Sequence, residues 1–314
     1  MPALDRKVLL KDSSLREGLD TPGVAFTREE KIKIAALLDR AGVQEIEIVA
    51  PGFVMEDLAF AELLREKRLK MRTSGLVYAY TPDCGKEIEK AGMSLDRFDL
   101  LMPVSERRRP KDREEKVELL LSALEDAKST QAEVGVGFPH STQGDAAFLM
   151  EIAGECLKKG AQRVTVYDTN GSADPFEIYN LITRMRKELG GSLCFHGHND
   201  LGLATANSLA AAYAGADVLD VTINGLGDRA GNASLEQVAV ALYLKGVGTG
   251  VTLQDVKLLS RTVAQASGVG VPKLAPVVGA YCFCHKSPSH LESPGLFEAF
   301  DPALVGAGRS TTRA

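Results

Sequence analysis

Two histidines one residue apart, His196 and His198, close a β-branched run and are followed by Asn199 and Asp200. Alternate residues on a strand point to the same side, so both imidazoles can reach one cation. Two ligands do not make a site, and such a pair is otherwise two core or surface histidines. A carboxylate from another strand end completes a facial set, and the best candidate is Glu17 in Asp12-Ser13-Ser14-Leu15-Arg16-Glu17-Gly18. Nitrogen and oxygen ligation without thiolate suits Mn²⁺, Mg²⁺, Co²⁺ or Zn²⁺. Arg16 is a permanent cation whose planar fork fits a carboxylate or an enolate oxygen, or else pairs with Glu17 or Asp12. Asp168-Thr169-Asn170-Gly171 ends another run, and the stretch from Gly225 to Asn232 is glycine-dense, as in a loop that hugs a ligand. It is not a GxGxxG at a nucleotide-binding position, so no dinucleotide site is expected. The run from Glu106 to Lys111 reads as a solvated loop rather than a seat for coenzyme phosphates.

Such residues need a scaffold that turns separate chain segments toward one face. Short β-branched runs at 8–14, 45–50, 71–77, 98–104, 134–138, 163–169, 193–199 and 218–225 are each followed by a helical pattern. That is repeated βα chemistry, and eight parallel strands can close into an α/β (β/α)8 TIM barrel with function at the carboxy ends of its strands. Thr27 and Glu30 form a capping box, and Gly42, Gly160 and Gly215 stand where helices stop before a strand. A barrel of this kind takes about 250 residues. Residues 1–250 are therefore the expected catalytic barrel and 251–314 a C-terminal loop- and helix-containing appendage, lid-like over it.

Composition excludes several functions. With 37 basic and 42 acidic residues the net charge is −5, which supplies no field for nucleic acid or an anionic membrane surface. The longest uncharged stretch near the middle, 201–216, is too short and too polar for a bilayer span. The first ten residues carry no export pattern, and five cysteines form no disulfide framework, so the cytoplasm is the expected compartment.

Taken together, the motifs resemble the DRE-TIM metallolyase superfamily of isopropylmalate, homocitrate and citramalate synthases and hydroxymethylglutaryl-CoA lyase. The resemblance runs over about residues 8–310 and rests on Asp12 to Gly18, His196 to Asn207 and Gly225 to Glu236. It implies that Glu17, His196 and His198 ligate a divalent metal, with Asn232 completing the set. It also implies that Arg16 stabilises an acyl-CoA enolate and Thr169 contacts the acceptor's carboxylate. His285, in His285-Lys286-Ser-Pro-Ser-His290, resembles the superfamily's acid–base histidine. The implied reaction is a Claisen-type condensation of acetyl-CoA with a 2-oxo acid, an acyl transfer, in a homodimer whose appendage crosses to the neighbour. The chain departs from the pattern after the fifth strand, where the synthases carry a glutamate and this sequence reads Gly137-Phe138-Pro139-His140; His140 is the substitute candidate. Ser74 and Gly135 stand where homocitrate enzymes read a distal carboxylate, which argues against 2-oxoglutarate as acceptor. The rivals are a carbon–carbon lyase of the hydroxymethylglutaryl-CoA type and a metabolite-binding barrel without catalysis. The loop from Gly225 to Asn232 lacks the lyases' cysteine, which favours synthesis.

Overall fold

The computed structural model describes residues 6–52, 55–106 and 112–311. Most of the basic run after the fourth strand, 107–111, lies outside the described residues. Eight parallel strands alternate with helices: β1 (Leu9–Asp12), α1 (Arg28–Arg40), β2 (Glu45–Val49), α2 (Met55–Glu66), β3 (Arg72–Tyr78), α3 (Cys84–Ser94), β4 (Arg97–Leu101) and α4 (Arg113–Ala127). The second half repeats the pattern with β5 (Glu133–Phe138), α5 (Ala146–Lys158), β6 (Arg163–Asp168), α6 (Pro175–Glu188), β7 (Ser192–Gly197), α7 (Ala204–Ala214), β8 (Val218–Val221) and α8 (Leu235–Leu244). Each strand pairs with the next, and β8 pairs with β1, so the sheet is a closed barrel.

Local chemistry sets these elements. Thr27 caps α1 by accepting from the Glu30 amide while the Glu30 carboxylate accepts from the Thr27 amide at 2.8 Å, closing the capping box. Gly42 ends the same helix at φ 82°, a left-handed conformation, and a Cβ there would stand 2.5 Å from the Gly250 carbonyl oxygen. The outward faces of the strands and inward faces of the helices share one apolar core, which includes Leu10, Ile34, Ile46, Phe98, Phe138 and Leu219.

The barrel interior is polar where most barrels pack branched aliphatics. Arg163 forks onto Glu45, the Arg97 guanidinium reaches Glu133 at 2.9 Å, and the Thr165 hydroxyl donates to Asp99 at 2.7 Å. One layer higher, fully buried Lys11 bridges Glu47 at 2.5 Å and Asp220 at 2.8 Å. The period-2 alternation of charge in β2 and β4, Glu45-x-Glu47 and Arg97-x-Asp99, is what turns these groups inward.

After α8 comes α9 (Val256–Ser267), which packs against α1 and α8 with Val256, Leu259 and Val263 in the core. The remaining segment holds β9 (Cys284–His285), α10 (Pro288–Glu292) and β10 (Ser310–Thr311), with β9 and β10 paired in parallel. Val277, Phe283 and Val305 tie it into the core of the barrel. Within it, 269–278 shares a cavity of about 270 Å³ with the glycine-dense loop.

Candidate active site

A cavity of about 780 Å³ opens at the carboxy ends of the strands. Glu17 enters it from the single 3-10 turn that follows β1, and His196 and His198 from the end of β7. All three are buried, and one ligating atom from each lies within 4.8 Å of the others. His196 Nε2 and His198 Nε2 are 3.4 Å apart, and His198 Nε2 is 3.5 Å from Glu17 Oε1. Two nitrogens each about 2.1 Å from one ion lie about 3.0–3.5 Å apart, so the spacing fits a divalent cation.

Electrostatics point the same way. Burial and the neighbouring His196 push His198 down to about 4, which leaves it neutral with a lone pair free for an ion. Burial would raise the Glu17 carboxyl, but the adjacent Arg16 guanidinium holds it below the usual range. Asp220 accepts from His196 Nδ1 at 2.9 Å, so that Nε2 is the nitrogen presented to the cavity. Burial opposes its charge, yet Lys11 and His196 hold Asp220 far below an ordinary carboxylate. Within this buried group Lys11 and Arg16 face Glu17, Glu47 and Asp220, an excess of one negative charge that a divalent ion reverses.

Asn232 forms a bridge with the His198 backbone, and neither polar atom of its buried amide has a hydrogen-bond partner. An orphaned amide beside a ligand cluster fits a further donor to the same ion. Arg16 contacts Glu17 and donates through Nε to Glu47 at 2.7 Å, which fixes its guanidinium on the cavity wall. Thr169 Oγ1 accepts from the His140 amide at 2.7 Å, leaving its own hydroxyl proton for a ligand. His140 lines the same cavity, held at φ 62° at the start of the 3-10 turn after β5.

His285 is not brought to this group within the chain. Its Nε2 hydrogen-bonds to Glu298 Oε1 at 3.1 Å, and the Glu298 carboxylate is gripped in turn by Arg309 at 2.8–3.0 Å. His290 lies 5.6 Å from the His285 ring and stacks on Phe297 at 3.7 Å. No described residue of the appendage lines the mouth cavity, and its Val277, Phe283 and Val305 are buried in the main core. Sequence reasoning did not single out Lys11, Glu47, Asp220 or Glu298. The first three carried a signal in the alternation of their strands; Glu298 carried none.

The profile of the HMGL-like family matches residues 7–263. The chain is 33% identical over 314 residues to 2-isopropylmalate synthase 2 of Caldanaerobacter subterraneus subsp. tengcongensis, covering 97% of this chain and 81% of that protein. It is 35% identical over 309 residues to homocitrate synthase 1 of a Nostoc species, with 96% and 81% covered. Against a putative (R)-citramalate synthase of Methanopyrus kandleri the identity is 34% over 314 residues, covering 96% of this chain and 61% of the other. Several relatives are thus longer, the chain spanning about three fifths of their length. Among solved structures, the HMG-CoA lyase of Bacillus subtilis superposes with a TM-score of 0.74 at 22% identity, over 87% of this chain and 97% of that one. At that identity the likeness is one of fold.

Proposed function

The chain belongs to the HMGL-like family, and from that premise we propose that it catalyses a metal-dependent Claisen-type condensation of acetyl-CoA with a 2-oxo acid, yielding a 2-hydroxy-2-carboxymethyl acid and CoA. The observation that carries the reading is the convergence of Glu17, His196 and His198 beside Arg16 at the barrel mouth. These three residues with Asn232 would hold Mn²⁺, Mg²⁺, Zn²⁺ or Co²⁺, and His196 is oriented for it by Asp220. When bound, the ion supplies Lewis acidity to the acceptor's ketone.

The rest falls to side chains. Arg16 offers a fixed positive charge where the thioester oxygen becomes an enolate oxygen. Thr169 donates its free proton to the acceptor's carboxylate, its oxygen being held by the His140 amide. An imidazole takes the methyl proton of acetyl-CoA, the new carbon–carbon bond forms at the keto carbon, and water then cleaves the thioester. His140 is the imidazole that the chain's own cavity supplies. His285 would act from a neighbouring copy in a homodimer: the Glu298 carboxylate can only accept, so Nε2 carries the proton and Nδ1 is the basic nitrogen. The barrel and the segment after it thus divide the work near residue 250. No disulfide joins any of the described cysteines, in keeping with a reducing cytoplasm. No described helix is long and apolar enough to cross a membrane.

The test is CoA release from acetyl-CoA across a panel of 2-oxo acids, with and without exhaustive chelation. Chelation abolishes turnover and added Mn²⁺ restores it. Glu17→Ala removes both turnover and Mn²⁺ binding by calorimetry while keeping the far-UV circular dichroism. Full activity of the chelated protein would refute the metal reading, and CoA release without a 2-oxo acid would refute the acceptor class.

A further inference from the structure

The cavity has two unlike halves. The ligand cluster and Arg16 come from the ends of β1 and β7, whereas the wall from β3 to β6 presents Leu76, Tyr78, Leu101 and Tyr167. Leu76, Leu101 and Tyr167 form an apolar cluster of their own, apart from the main core, with half-buried Tyr78 against it. The Tyr167 ring lies 4.9 Å from the His196 ring, so this wall begins where the ligand cluster ends. Neither Tyr167 nor Leu101 can retreat toward β5. A Cβ placed on Gly137 would meet Leu101 Cδ2 at 2.5 Å and Tyr167 Cε2 at 2.9 Å, so both side chains already fill the space that glycine leaves.

Charge is distributed just as unevenly. Two cations line the cavity among the described residues, Arg16 and Arg229, and each is already paired, with Glu17 and Glu47 and with Asp200 and Asp228. On the β3–β6 wall the described lining has no Lys, Arg, Asp or Glu. A carboxylate carried there would be stripped of water against leucine and tyrosine and would meet no Lys or Arg among the described residues.

Resting on the synthase reading, we propose that this wall receives the side chain of the acceptor and that the Tyr167 ring limits its length: the acceptor is a 2-oxo monocarboxylic acid with a short apolar side chain. The hydroxyl of Tyr167 is buried without a hydrogen-bond partner among the described residues, so packing against Gly137 and not a polar anchor holds the ring in place.

The test measures kcat/KM with acetyl-CoA and Mn²⁺ for pyruvate, 2-oxobutanoate, 2-oxopentanoate, 2-oxohexanoate and 2-oxoglutarate. Wild type falls about tenfold or more between 2-oxobutanoate and 2-oxohexanoate, and about 100-fold from 2-oxopentanoate to 2-oxoglutarate, the scale on which pockets discriminate a methylene or an unpaired polar group. Tyr167→Ala moves the optimum to the longer chains, and Tyr167→Phe keeps the wild-type order. Should the alanine variant not fold, Tyr167→Leu carries the same comparison, with circular dichroism and Mn²⁺ affinity as controls. An unaltered chain-length order in a folded, metal-binding Tyr167→Ala or Tyr167→Leu overturns the proposal, as does preference for 2-oxoglutarate in wild type. Absence of CoA release with every acceptor overturns the synthase reading itself, whereas turnover with an unaltered order overturns this assignment alone.

Discussion

Asp12 shows how far burial can reset a single group in this barrel. Sealed at the end of β1, it accepts from the Ser14 amide at 3.0 Å and the Ser14 hydroxyl at 3.1 Å. Burial outweighs both bonds and pushes its carboxyl up to about 8. Between its ordinary value near 4 and about 8, the folded chain therefore holds a proton that the unfolded chain has released. Stability must fall with rising pH across that window, by about 1.4 kcal/mol per unit from this group, and level off above it. Asp12→Asn removes the ionisation while keeping an acceptor for the Ser14 amide. The difference in unfolding free energy between wild type and Asp12→Asn, measured by urea titration at a series of pH values, should shrink with this slope from pH 5 to 8. A difference independent of pH would show that Asp12 is ionised in the folded state.

At the scale of elements, the turns between helices and strands set the barrel's geometry. Gly42→Ala should cost more than about 1 kcal/mol in denaturant unfolding, because the new Cβ would meet both a left-handed φ and the Gly250 carbonyl. A cost near zero would mean that the loop around Gly250 yields freely. The strands themselves were legible: all eight runs coincide with β1 to β8 to within a few residues, since β-branched runs bounded by helix-ending glycines are a local signal. His196 and His198 were legible too, because strand alternation points side chains two apart to the same side, and Glu17 was legible as the carboxylate just beyond the first strand. The interior charges were not read, since Lys11, Glu47 and Asp220 meet only when strands distant in sequence close the ring. Nor was Glu298, which reaches His285 through irregular chain that has no periodicity to follow.

For the whole molecule, His285 lies outside the chain's own cavity, so under the proposed function it would have to be supplied by a second copy. If His285 serves a neighbour, Glu17→Ala and His285→Ala proteins, each inactive alone, should regain partial activity when denatured and refolded together, through mixed dimers that hold one intact site. Full activity of His285→Ala by itself would instead leave proton transfer to His140 within one chain.

The pairing of β8 with β1 also constrains how such a dimer can be built. A ring of strands has no first or last member and therefore no exposed ladder of amide and carbonyl groups on which a second chain could extend it. In the proposed dimer, copies would therefore meet through helices, loops or the segment beyond α9 rather than by extending the barrel sheet. If the segment carries the contact, cutting the chain within it would abolish association; if helix surfaces carry it, association would survive the cut.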